Sequence, residues 1–149
     1  MKGLAYLLGI SAGFGLALQV GMNAQLRKVL QGANAAALIS FLVGTCALVV
    51  LWIVTRPPMP GREEFAAVPL WAWFGGLFGA FYVAISTIVA TELGAASLLA
   101  LALLGQLFMA LLVDHFGWLG LPVNPISWTR LFGVALLGAG VWLVTRRAT

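Results

Sequence analysis

Charge is scarce in this chain. Asp, Glu, Lys and Arg make up 8% of its 149 residues, against roughly a quarter in a soluble domain. With 62% of residues hydrophobic, that shortage excludes a self-contained water-soluble fold, because a monomer in water cannot cover so much apolar surface. Acid is scarcer still. Of the four carboxylates, Glu63, Glu64, Glu92 and Asp114, none falls in the middle of an apolar run. The tunable intramembrane acid that usually carries proton coupling is missing. The lone cysteine, Cys46, cannot form an intramolecular disulfide and reads as a small buried hydrophobe. One cysteine and one histidine do not make a zinc cluster, and no phosphate-cradling loop or nucleophile–base constellation stands out. No enzyme, metal or cofactor is expected.

What the chain does have is apolar length. Five hydrophobic runs cover about residues 4–26, 34–54, 70–91, 95–113 and 128–144. About 20 such residues span a bilayer as a helix. Only helices and closed barrels satisfy the backbone in lipid, and these runs are too long and too uniformly apolar for barrel strands. The expected fold is an all-α integral membrane protein, a single transmembrane domain over 1–149 with five helices in the lipid bilayer. The segment "TRPPMPGREE" is a loop, since three prolines and a glycine cannot continue a helix, and Glu63 and Glu64 lie in it. The first run is too long for the apolar region of a signal peptide and reads as a retained helix. The formal charge of +4 is not a nucleic-acid patch. Its basic residues flank the apolar runs singly or in pairs, as membrane-border residues do.

Those border charges set no direction. With the N-terminal side taken as one face, alternation places Lys2, Arg56, Arg62 and Arg130 there and Arg27, Lys28, Arg146 and Arg147 on the other, four against four. Lys/Arg imbalance normally orients a membrane protein. A zero bias predicts dual topology, and dual topology predicts an antiparallel homodimer. Many transporters carry two inverted halves with the site at their interface, and this chain reads as one such half. Trp52, Trp71, Trp73, Trp118 and Trp128 fall near one border and Trp142 near the other, a lopsided set that an inverted pair spreads over both.

Polar residues inside lipid are costly and face a partner or a cavity. On the first helix Ser11, Gly15, Gln19 and Asn23 recur every four residues along one face. On the third, Gly75, Gly79, Tyr82 and Ser86 share a face. On the fourth, Ala102 and Ala110 leave room around Gln106. The candidate substrate-lining residues are therefore Ser11, Gln19, Asn23, Tyr82, Ser86 and Gln106, each of which could equally serve as hydrogen-bonding glue between helices. At about 1.5 Å rise per residue, Gln106 and Gln19 sit at depths about 10 Å apart in one subunit but about 4 Å apart across an inverted pair. They are expected to face one central cavity from two subunits. Gly9 with Gly13, Gly75 with Gly79, and Ala135 with Ala139 are expected packing seams. Asp114 and His115, closing the fourth run, are expected to hydrogen-bond loop backbone rather than to bind solute.

The segments "LQVGMNAQLRK", "AALISFLVGTCALVV", "WAWFGGLFGAFYV", "LGAAS", "GQLFMALLVDHFGWLG" and "RLFGVALLGAGVWLV" resemble, in order, the YdcZ-type family of the drug/metabolite transporter superfamily. The resemblance covers nearly the whole chain. It implies a bacterial inner-membrane exporter related to the small multidrug resistance transporters, with an added fifth helix, in a family whose members occur as single chains, paired genes or fused double-length chains. Those relatives carry a glutamate in the first helix that binds cation or proton. This chain has none there, Gln19 and Ser11 being the nearest polar residues, so drug/proton antiport is not implied. The combined reading is a small-solute transporter working by alternating access as an antiparallel dimer, its solute neutral or weakly charged and partly apolar. A non-transporting structural or regulatory subunit and a passive channel are the alternatives.

Overall fold

The computed structural model describes residues 2 to 146, so the expected border residue Arg147 lies outside the described part. The elements are α1 (Lys2–Leu30), α2 (Ala33–Thr55), α3 (Arg62–Ala67), a 3-10 turn (Leu70–Phe74), α4 (Gly75–Leu93), α5 (Ala95–Phe116), a second 3-10 turn (Trp118–Gly120) and α6 (Trp128–Thr145). Among the described residues there is no strand. Five helical stretches are long and apolar enough to cross a membrane: Gly3–Leu30, Ala33–Thr55, Leu70–Leu93, Ala95–Phe116 and Trp128–Thr145. The shortest has 18 residues, about 27 Å of helix. Large side chains on these helices, such as Leu7, Phe78 and Phe132, are more than 60% exposed. Apolar surface left bare on this scale makes the bilayer, not water, the solvent of the fold.

The helix ends differ from the sequence expectation in an instructive way. Expected to stop at 26, α1 runs through Arg27 and Lys28 to Leu30. Charges end the hydrophobic run but not the hydrogen-bond ladder, and cations are favoured in a helix's last turn. The ladder stops at Gln31, whose φ of 54° turns the chain into Gly32 and α2. Likewise α5 continues past residue 113 through Asp114 and His115 to Phe116. Glu63 and Glu64, expected in a loop, lie in the first turn of α3, where their charge complements the helix's positive end. Cys46, expected to be buried, is exposed on α2. A small apolar side chain is accommodated by lipid as well as by a protein core, so its hydrophobicity could not place it inside.

The chain divides into two compact units, Met1–Thr91 and Glu92–Thr149. In the first, α1 and α2 fold back on each other after the turn at Gln31–Gly32 and pack along a shared face. Val20, Asn23, Ala36, Ala37, Val83, Ser86 and Thr87 are its buried residues. A Cβ built on Gly79 would lie 3.2 Å from Phe41 Cζ, so that glycine lets α4 approach α2. The other seam glycines behave differently. Around Gly9, Gly13 and Gly75 a built Cβ meets nothing within 4 Å, and those small-residue faces are unused inside the chain. In the second unit α5 packs on α6, with Leu98, Leu111, Val113 and Val141 buried.

Candidate functional site

Between α1 and α2 lies a cleft of about 390 Å³. Gly15, Leu18, Gln19, Met22, Asn23 and Leu26 line it from α1, and Ile39, Ser40 and Val43 from α2. A smaller recess of about 190 Å³ adjoins it, sharing Gln19 and Ser40 and adding Gly44 and Thr45. The helix period explains the set: residues 15, 18, 19, 22, 23 and 26 occupy one face of α1, and Gly15 keeps that face open. The four-residue stripe expected from the sequence is this face from Gly15 to Asn23. Ser11, one turn further, does not line the cleft. It is exposed, and its hydroxyl donates to the Leu8 carbonyl at 2.8 Å.

Asn23 is the unusual member. The residue is 2% exposed, and its Nδ2 has no hydrogen-bond partner among the described residues. Burying an amide without a partner costs about 1–3 kcal/mol on mutational scales. An apolar helix pair would be more stable without it, so a donor kept there requires an explanation.

The remaining candidates do not join this cleft. Ser86 is buried on α4, and its hydroxyl is spent on the Val83 carbonyl at 2.8 Å. Tyr82 is half-buried on the same helix, and Gln106 is exposed on α5 in the second unit. Polar residues not singled out by sequence also matter. Thr87 is fully buried, with its hydroxyl on the Ala84 carbonyl at 2.8 Å. Arg27 Nη1 donates to the Thr87 carbonyl at 3.2 Å and to Thr91 Oγ1 at 2.5 Å. That guanidinium fastens the end of α1 to the last turns of α4, where helix carbonyls attract a cation. Two threonines four residues apart, at the border shared by Arg27, were the available signal.

The Asp-His pair that closes α5 has a separate task, and it is the one expected. The Asp114 carbonyl accepts from the Asn124 N–H at 2.8 Å, and its carboxylate accepts from Arg130 Nη2 at 2.5 Å. Arg130 Nη1 donates to the Asn124 carbonyl at 3.0 Å, and His115 Nδ1 accepts from the Ile126 N–H at 3.2 Å. Ser127 caps α6 by accepting from the Arg130 N–H at 3.3 Å. Gly117 makes the turn, with φ of 64° and a built Cβ only 2.7 Å from Val123 Cγ2. A side chain there would meet both the left-handed penalty and that methyl. The constellation is a clasp on the α5–α6 loop. One further spelling is explained by position: "GISAG", residues 9–13, has the letters of a nucleophile elbow, but Ser11 lies inside a continuous helix rather than on a strand-to-helix turn.

Comparison with known proteins agrees with this architecture. The family described as "Putative inner membrane exporter, YdcZ" matches residues 4–143. The inner membrane protein YdcZ of Escherichia coli (strain K12) is 33% identical over 147 residues, which is 97% of this chain and 95% of that protein. No solved structure matches the chain.

Proposed function

Since the chain belongs to the YdcZ family of inner-membrane exporters, we propose that it moves a small, partly apolar, neutral or weakly charged solute across that membrane, with the α1–α2 cleft as its binding surface. The observation that carries this reading is the buried, unpartnered Nδ2 of Asn23 in a cleft also lined by Gln19 and Ser40. An amide donor with nothing to donate to fits a carbonyl, ether or hydroxyl acceptor on a solute, whose apolar part lies against Leu18, Met22 and Val43. None of the residues lining the cleft is acidic, so capture of a cation by ion pairing is not part of the mechanism.

The transporting unit we propose is an antiparallel homodimer, each subunit contributing one transmembrane domain. The balanced border charges support it, as do the open faces at Gly9 and Gly13, which offer the close helix approach that association in lipid requires. Two inverted copies then open the site alternately to the two sides. Ser11, Tyr82, Ser86 and Gln106 are secondary lining residues in this assembly.

The test is a thermal-shift screen of purified protein against a broad panel of polar-apolar metabolites, because a ligand stabilises the state it binds. A reproducible rise in melting temperature, followed by uptake of that compound into proteoliposomes, is expected. A panel that never moves the melting temperature favours the non-transporting subunit, and fluxes far above carrier turnover favour a channel. The inverted geometry has its own check. With Cys46 replaced, cysteines at 19 and 106 are expected to be joined between subunits by a short bifunctional reagent. Crosslinks confined to one subunit, with the dimer intact, would remove the antiparallel arrangement.

A further inference from the structure

At the end of α1 lies a second recess, of about 460 Å³, whose character is the opposite of the cleft. Its floor is Gly21 and Ala24, and a Cβ built on Gly21 meets nothing within 4 Å. Its rim is Gln25, Arg27, Lys28 and Gln31, with Thr91 of α4 as the facing wall. Residues 21, 24, 25 and 28 share one helical face, so the recess follows directly from two small residues placed one and two turns before a basic pair. No residue lining it is acidic.

Arg27 is held ready there. Its Nη1 is committed to the Thr87 carbonyl and Thr91 Oγ1, which fixes the guanidinium. A guanidinium has five N–H donors in a rigid fork, so the Nη2 and Nε donors remain for a ligand and the side-chain entropy is already spent. Lys28 supplies a second, flexible charge, and Gln25 and Gln31 supply amide donors. One effect opposes an anion: the carbonyl ends of α1 and α4 lie nearby, each unfavourable by about 0.3–1 kcal/mol. It is offset by the start of α2 at Ala33, whose first N–H groups have no side-chain cap. Two cations with free donors decide the balance. The position is also specific, since Arg27 and Lys28 close the apolar run of α1 at the depth of the headgroups.

We propose that this recess binds a phosphate group, as carried by the headgroup of an anionic phospholipid or by a free phosphorylated solute, with Arg27 and Lys28 as its charged ligands and the Gly21–Ala24 trough taking the glycerol or carbon portion. Basic pockets between membrane helices are suited to anionic headgroups on physical grounds. The inference does not rest on the solute cleft, which shares none of these residues.

The experiment is native mass spectrometry of the full-length protein in detergent, titrated with phosphatidylglycerol, with phosphatidylcholine and with inorganic phosphate. Phosphatidylglycerol is expected to bind in preference to phosphatidylcholine. Lys28→Gln is expected to weaken it about fivefold, the effect of about 1 kcal/mol per basic residue near a membrane surface. Lys28→Arg keeps the binding, and Arg56→Gln, outside the recess, leaves it unchanged. Inorganic phosphate that displaces the lipid assigns recognition to the phosphate itself. Inorganic phosphate binding as tightly as the lipid identifies a free solute as the source. Equal binding of the two lipids, or equal weakening by Lys28→Gln and Arg56→Gln with the helical circular dichroism intact, would overturn the site.

Discussion

Asn23→Leu is expected to make the protein more stable and less able to bind its solute. Leucine has the same branched skeleton as asparagine and no donor to satisfy, so the substitution removes the desolvation cost of a buried, unpaired amide, about 1–3 kcal/mol. The melting temperature should rise by several degrees. Affinity for any solute found in the screen should fall at least tenfold, the equivalent of about 1.4 kcal/mol. Stability and function move in opposite directions only when a residue is held in a costly state for its ligand. Asn23→Ala, which cannot overpack the cleft, guards against a steric artefact and should lose binding equally. Loss of stability in both variants with binding intact would show that the amide is paired across the assembled dimer, as packing glue, and would defeat the proposed site.

The second large effect is on the clasp. Asp114→Ala is expected to destabilise the protein by about 1–3 kcal/mol, since it deletes a charge-assisted hydrogen bond and leaves Arg130 without its acceptor. The side chains of Arg130 and Asp114 are 30% and 28% exposed, so solvent screening places the effect towards the lower end. A double-mutant cycle with Arg130→Ala should return a coupling of about 1 kcal/mol. Asp114→Asn should leave solute affinity within about twofold of the parent, because the clasp orders a loop and touches no solute. A folded Asp114→Asn protein that had lost binding would make Asp114 a site residue.

How much of this was legible beforehand depends on the range of the interaction. The five helices are written in the length of the apolar runs, which composition alone decides. Their ends were misplaced where charge was taken for a stop signal. Arg27, Lys28, Asp114 and His115 all continue a helix, and the real stops are the left-handed residues Gln31 and Gly117. The cleft was half legible. Periodicity puts Gln19 and Asn23 on one face, but Ser40 belongs to another helix, and no pattern within α1 reveals it. That Asn23 is sealed while Gln19 is only half-buried depends on packing around them, which a stripe of residue types does not encode. Ser86 misled for the reverse reason: a hydroxyl in a helix can satisfy itself on the preceding turn, so polarity did not mean availability. The clasp was readable because its partners lie 16 residues apart or fewer.

The bond from Arg27 to Thr91 spans 64 residues, whereas that from Arg130 to Asp114 spans 16. During synthesis at about 5–20 residues per second, Asp114 waits for its partner roughly 1–3 s and Arg27 roughly 3–13 s. The first basic residue to reach the far border therefore spends longest without its threonine acceptors, through the making of α2, α3 and most of α4. For that interval its guanidinium is held at the surface by hydration and lipid phosphates alone. The end of α1 is thus the last part of the first unit to be secured, and the part whose early placement depends most on the charge of the membrane it enters.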